Sequence, residues 1–345
     1  MAMRLTELGE FGLIERFAAL VRSAPARPSR PPGGGGPLAI GIGDDAAVLD
    51  VPSGERAVLT CDAMVEGRHF RTDLLGPEQI GRRAAGAALS DIAAMAATPL
   101  ALLVTLALRP DSEVAWADAL VSGIVAKAGE HGCVVAGGDT VATTGPVVVD
   151  LAVLGSVPAD EVWLRSAARP GDVLCVTGTL GDAAAGLAAL TAGSPADDHV
   201  RYVVARHADP QPRIALARRL ATADVVRAAL DLSDGLLQDA GHLAAASQVR
   251  LVLHAAALPI SPACRAVAEQ LGQDPAAWAR AGGEDYELLL AVPPGRTGAA
   301  RALARQVGVA LTEIGEVAPG AGVELRDQHG AIAWHSRPGW DHFRP

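Results

Sequence analysis

The stretch VVVDLAVLGSVPADEVWLRSAARPGDVLCVT, residues 147–177, holds two strand signatures separated by a break. Val147–Val157 is an apolar run rich in β-branched residues, interrupted by Asp150 and by Gly155–Ser156, of the kind buried in a sheet. Pro158–Pro170 interrupts it, and an Arg-Pro-Gly-Asp turn at 169–172 leads into a second strand expected at Val173–Thr177. One α/β pattern ends here and another begins. The chain of 345 residues is therefore expected to hold two domains, 1–158 and 159–345, in line with a usual domain size of about 100–200 residues.

Upstream, strands are expected at Leu38–Ile42, near Ala46–Leu49 and at Ala57–Asp62. A helix follows over Pro77–Ala97, a strand over Leu100–Leu108, a helix over Ser112–Glu130 with Ser112 as its cap, and a strand over Cys133–Ala136. Downstream, helices are expected at Asp182–Thr191, Pro212–Ala221 and Leu236–Ala246, and strands at Leu251–His254, Leu288–Val292 and Glu313–Val317. Two such alternating halves make the expected fold class α+β. Residues 24–37 hold five prolines and four glycines and read as a flexible loop.

Thirty-nine acidic residues against 29 basic ones leave a net charge of −10, which argues against a general nucleic-acid binder. Lys127 is the one lysine among those 29, so no Gly-Lys-Ser/Thr phosphate loop exists, and Schiff-base or lysine general-base chemistry is not expected. The four cysteines, Cys61, Cys133, Cys175 and Cys264, form no CxxC and suit a reducing, cytoplasmic setting. Met1–Leu20 reads as an amphipathic helix, not a signal peptide. Ala84–Leu108 is long enough for a membrane span, but Asp91 and Pro99 divide it into a buried helix and a buried strand.

Several carboxylates share one setting, each after an apolar run and beside Gly, Ser or Thr. They are Asp44 and Asp45 in GIGDDAAVL, Asp62 in LTCDAMVEGRHF, Asp91 in ALSDIAAMA, Asp139 in VVAGGDTVAT, Asp231 and Asp234 in ALDLSDGLLQD, and Glu284 and Asp285 in AGGEDYELLL. Such carboxylates are costly to bury without a cation. Magnesium, held by a few carboxylates plus substrate phosphate oxygens, is the economical partner, and neighbouring glycines let backbone approach a phosphate. Plainer readings stand beside this one: GIGDD and GGED as tight turns, Asp231 or Ser233 as the cap of the helix beginning near Leu236, and Asp91 as a satisfied core carboxylate.

Together with LRSAARPGDVLCVTGTLGDAAAGL and the terminal GWDHF, these motifs resemble the thiamine-monophosphate kinase family, within the wider group of aminoimidazole-ribonucleotide-synthetase-like ATP enzymes. The resemblance runs from Glu10 to Phe343 and implies transfer of a phosphoryl group from ATP to thiamine monophosphate, giving thiamine diphosphate. It implies magnesium ligands at Asp45, Thr60, Cys61, Asp62, Asp91, Asp139, Asp231 and Asp234. Cys61 stands where the family usually has a hydroxyl, and a thiol is a poor magnesium ligand, so its carbonyl is the expected donor. Nucleotide contacts are implied at Gly138, Asp139, Arg165 and Ser233, and substrate contacts at His69, Glu284 and Trp340. Asp45, Asp91 and Arg165 are the expected catalytic set. A homodimer pairing through the N-terminal sheets, and no membrane or nucleic-acid partner, complete the expectation. A phosphate acceptor is already nucleophilic at neutral pH, so positioning and charge neutralisation suffice without a strong base. Two other readings are a ribonucleotide-cyclising or selenophosphate-synthase-like relative, and a non-catalytic nucleotide binder.

Overall fold

The computed structural model describes residues 3–23, 38–42, 46–327 and 330–332. The Pro/Gly-rich segment, Asp44, Asp45, Trp340 and the terminal GWDHF lie outside the described residues. The chain forms two compact units, one of residues 1–92 and 97–159, the other of residues 93–96 and 160–345.

In the first unit, α1 (Leu5–Ser23) breaks at Gly9, where φ is +75°. A small hairpin, β1 (Leu38–Ile40) with β2 (Val48–Leu49), precedes β3 (Glu55–Val65), α2 (Pro77–Ala94), β4 (Thr98–Leu108), α3 (Val114–Glu130), β5 (Val134–Ala142) and β6 (Val148–Pro158). The main sheet runs β3-β6-β4-β5. β6 is antiparallel to both neighbours, and β4 and β5 are parallel, joined through α3 as a parallel pair requires. Val149, Leu151, Val153 and Val157 of β6 are fully buried, as are Leu89 of α2 and Leu120 and Ile124 of α3.

The two helices approach at backbone distance. A Cβ on Gly81 would lie 2.0 Å from the Leu120 carbonyl oxygen, and one on Gly123 would lie 2.1 Å from that of Glu78. The opposite sheet face stays open: Leu59 of β3 is 75% exposed, and Leu103 and Val141 are exposed on β4 and β5.

In the second unit, a seven-stranded sheet runs β13-β12-β9-β11-β7-β10-β8. Its strands are β7 (Val173–Thr177), β8 (Ala228–Asp231), β9 (Arg250–His254), β10 (Leu288–Val292), β11 (Leu311–Ala318), β12 (Gly322–Asp327) and β13 (Gly330–Ile332). Its helices are α4 (Asp182–Ala192), α5 (Asp198–Ala208), α6 (Ile214–Thr222), α7 (Leu236–Ser247), α8 (Pro262–Leu271), α9 (Pro275–Ala281) and α10 (Thr297–Gln306). Leu174, Leu230, Leu253 and Leu289 of the sheet share a core with Leu236 and Leu243 of α7. A second cluster joins α4, α5 and α8 through Ala185, Val203 and Val267.

Four sequence expectations change. Ser112 does not cap α3: the helix begins at Val114 behind an extended Glu113, and the Val114 N–H is taken by the Met3 carbonyl, 2.9 Å away. Neither Asp231 nor Ser233 caps α7, where Gly235 holds that position. The helix over Pro77 stops at Ala94 and the following strand opens at Thr98. Finally, β5 does not end at Ala136 but continues to Ala142, so Gly-Gly-Asp-Thr at 137–140 lies inside a strand. The long β4 supplies the pairing, with Val104 opposite Gly138 and Thr105 opposite Asp139.

Candidate active site

In the first unit, β3 alternates its side chains across the sheet. Thr60 and Asp62 share one face, and the Thr60 Oγ1 donates to Asp91 Oδ2 of α2 at 2.5 Å. Cys61 faces the other way, exposed, with its thiol donating to Asp150 Oδ1 at 3.2 Å. That bond, with burial and the charges of Asp150 and Asp62, raises the thiol pKa, so the sulfur stays protonated and apart from Asp91. After β3, His69 closes the turn by accepting the Val65 N–H on Nδ1 at 3.0 Å, which leaves Nε2 as the donor of a neutral ring. Glu66 of the same motif is a brace. Its carboxylate accepts from Arg109, from the Val147 N–H at 3.0 Å and from Thr72 Oγ1 at 2.8 Å. Burial raises its pKa, and these bonds outweigh it, holding the group below the usual carboxylate range.

Gly138 and Asp139 sit on β5, at the far edge of the same sheet. With β6 and β4 between β3 and β5, three strand spacings of about 4.8 Å separate Asp139 from Asp62 by about 14 Å within one chain. The expected unit-one ligands therefore form two groups: Thr60, Asp62 and Asp91 together, Asp139 apart. Gly138 is glycine for a local reason, since a Cβ there would lie 1.9 Å from the Val104 carbonyl oxygen. Beside it opens a cavity of about 110 Å³, lined by Ile14 and Phe17 of α1, Val104, Val121, Gly138 and Asp139 among others.

In the second unit, the loop after β8 and the loop before β10 are laced together. The Glu284 N–H donates to the Ser233 carbonyl at 2.7 Å, and the Tyr286 N–H to the Leu232 carbonyl at 2.9 Å. This brings Asp231, Ser233, Asp234 and Glu284 into one region. Asp239, on the first turn of α7, accepts the N–H groups of Asp234 and Gly235 at 3.0 and 3.1 Å. Burial first, then the charges of Asp234 and Asp231, push the Asp239 carboxyl up to about 8. Asp234, Asp239 and His242 place ligand atoms within 4.8 Å of one another. Asp239 and His242 were not singled out from sequence; their spacing from Asp234, one and two helical turns into α7, is the signal that points to them. Arg165 lies in a 3₁₀ turn, exposed, and among the described residues its guanidinium makes no ion pair. Asp45 and Trp340 lie outside the described residues.

The donor chemistry fits magnesium. Thr60, Asp62 and Asp91 offer oxygen alone, and in the second unit burial, then the charges of Asp234 and Asp231, raise the proton affinity of Asp239, as in a group awaiting a cation. The Cys61 thiol does not fit.

Residues 43–157 match the model of the AIR synthase related protein, N-terminal domain, and residues 169–328 that of its C-terminal domain. The thiamine-monophosphate kinase of Salmonella typhimurium is 37% identical over 343 residues, 97% of this chain and 98% of its own length. The crystal structure of thiamine-monophosphate kinase from Stenotrophomonas maltophilia K279a is 35% identical, with a TM-score of 0.79 over 92% of this chain and 96% of that one. AaThiL complexed with AMPPCP and TMP is 31% identical, with a TM-score of 0.76 over 99% of this chain and all of that one. With both domain models and these end-to-end likenesses, the chain belongs to the thiamine-monophosphate kinase family of AIR synthase related proteins.

Proposed function

We propose that this chain phosphorylates thiamine monophosphate with ATP, giving thiamine diphosphate and ADP. The observation that carries the reading is the joint presence of two oxygen-rich carboxylate groups, one per unit, in a chain that matches named kinases over nearly their whole length. The AaThiL complex with AMPPCP and TMP supports this pair of substrates. In the reaction, an oxygen of the acceptor phosphate forms a bond to the γ-phosphorus of ATP. The bond from that phosphorus to the β-bridging oxygen breaks, and ADP leaves with the electron pair. The acceptor oxygen is already anionic, so the residues here position and neutralise instead of abstracting a proton.

Asp45, Thr60, Asp62, Asp91 and Asp139 of the first unit, and Asp231 and Asp234 of the second, would hold magnesium. When bound, magnesium neutralises phosphate charge and aligns the transferring group. Arg165, exposed and without an ion pair among the described residues, is suited to meet phosphate oxygens. The mostly apolar cavity beside Gly138 suits the base of the nucleotide. Four cysteines with no disulfide among them support a cytoplasmic location, and none of the described helices is long and apolar enough to cross a membrane. Incubation with magnesium, ATP and thiamine monophosphate is expected to yield thiamine diphosphate; no product at any magnesium concentration refutes the kinase reading.

The sheet separation bears on the oligomer. Asp62 and Asp139 stand on opposite edge strands, and the open sheet face carries Leu59, Leu103 and Val141. A homodimer stacked on that face covers the apolar stripe and sets the β3 edge of one copy beside the β5 edge of the other, so that Asp62, on the helix side of β3, and Asp139, on the open side of β5, complete each site around that edge from different copies. Asp62→Asn and Asp139→Asn are each expected to be inactive. Unfolded and refolded together, they should recover about a quarter of wild-type activity, because half the dimers are mixed and each mixed dimer keeps one intact site of two. No recovery on mixing refutes the shared site.

A further inference from the structure

Three of the four residues from Gly283 to Tyr286 adopt positive φ: Gly283 at +68°, Glu284 at +61° and Tyr286 at +50°. Left-handed backbone is unfavourable for Glu and Tyr, and it persists where surrounding structure enforces it. Two backbone hydrogen bonds to the loop after β8 enforce it from one side. From the other side the anchor is a side chain. Asp285, buried, accepts the Gly181 N–H at 2.7 Å and the Ala183 N–H at 3.2 Å at the start of α4. That helix has no side-chain cap from its own sequence, so a carboxylate from a distant loop takes its first donors. Burial pushes the Asp285 carboxyl up to about 7 against the pull of those two N–H groups.

Two residues on, Glu287 is fully buried and accepts from Arg206 at 2.6 Å, Arg213 Nε at 2.7 Å and Thr177 Oγ1 at 2.6 Å. Asp285 and Glu287 thus point inward on fixed partners. Glu284 turns outward, its side chain 27% exposed, with His207 Nδ1 3.7 Å from Oε2. One acidic segment is tied down at two points so that its remaining carboxylate is presented in a single direction.

We propose that Asp285 is a positioning residue: docked on the amide groups of Gly181 and Ala183, it holds Gly283, Glu284 and Tyr286 in the left-handed form that presents Glu284 to thiamine monophosphate. The inference rests on the kinase reading and on Glu284 as a substrate contact. A carboxylate suits this substrate, whose thiazolium is cationic and whose aminopyrimidine donates hydrogen bonds.

The test uses the 345-residue chain and four variants, Glu284→Gln, Asp285→Asn, Asp285→Ala and the double variant Glu284→Gln/Asp285→Ala. KM is measured separately for each substrate, alongside thermal unfolding. Asp285→Ala is expected to raise KM for thiamine monophosphate by about tenfold, with KM for ATP changed less than about twofold. Asp285→Asn, which keeps one acceptor, should fall between wild type and Asp285→Ala and serves if the latter does not fold. In the Glu284→Gln background the second substitution should add less than about twofold, because the group it positions is already altered. Additive effects, equal rises in both KM values, or a wild-type KM in either Asp285 variant overturn the inference. A wild-type protein that makes no thiamine diphosphate removes the kinase reading first, which tells the two failures apart.

Discussion

Replacing Asp91 by asparagine is expected to lower the rate of thiamine diphosphate formation by about 10²- to 10³-fold, the scale seen when one preorganised electrostatic group is lost from an active site. Asp91 sits on α2, half-buried, where Thr60 reaches it from β3. Asparagine keeps an acceptor for the Thr60 hydroxyl, so the contact between helix and strand survives and unfolding stays close to wild type. What changes is one negative charge in an oxygen-only donor group. Magnesium binding, followed by calorimetry, should weaken along with turnover, since hard cations are held by charged oxygens. Activity within about fivefold of wild type would falsify the assignment of Asp91 to the metal site.

The second large effect is on stability. Gly123→Ala is expected to cost about 3 kcal/mol, at the upper end of ordinary overpacking, because the new methyl meets backbone that cannot swing aside. Its Cβ would come 2.1 Å from the Glu78 carbonyl oxygen, and Gly81 faces Leu120 in the same way across the crossing. At about 2–4 °C per kcal/mol for a domain of this size, the first unit should melt about 10 °C lower. Gly129→Ala is the control: it lies on the same helix with no atom within 4 Å of its Cβ position, and should be neutral or stabilising by about 0.5–1 kcal/mol. Equal melting of both variants would show that the glycine contact does not govern the packing of α2 on α3.

Much of the framework is legible in local sequence. β7 and β10 begin and end where their apolar runs do, because each is short, central and buried, with only Val173 at the start of β7 half-buried. α5 carries local signals too: Asp197 accepts the Val200 N–H as its cap, and Val200, Val203 and His207 fall on one buried face. Other features depend on partners remote in sequence. Gly137 and Gly138 read as a break, yet β4 pairs with them, and the missing Cβ is what lets it come close. The start of α3 depends on a carbonyl at Met3 more than a hundred positions away. Among the candidate site residues, motifs point to the chemistry but not to strand order. Nothing local places Asp62 and Asp139 on opposite sheet edges, and nothing in Asp285's own motif ties it to the first turn of α4.

Lys127 has a use of its own. It is the one lysine of the chain and is fully buried on α3, with Nζ 3.1 Å from Glu130 Oε2. The folded protein thus offers no ε-amine to an amine-reactive reagent. Acylation at Lys127, read by mass spectrometry, becomes a clock for the opening of the first unit. Because the crossing of α2 and α3 lies one turn away at Gly123, that clock should run faster in Gly123→Ala and keep wild-type time in Gly129→Ala.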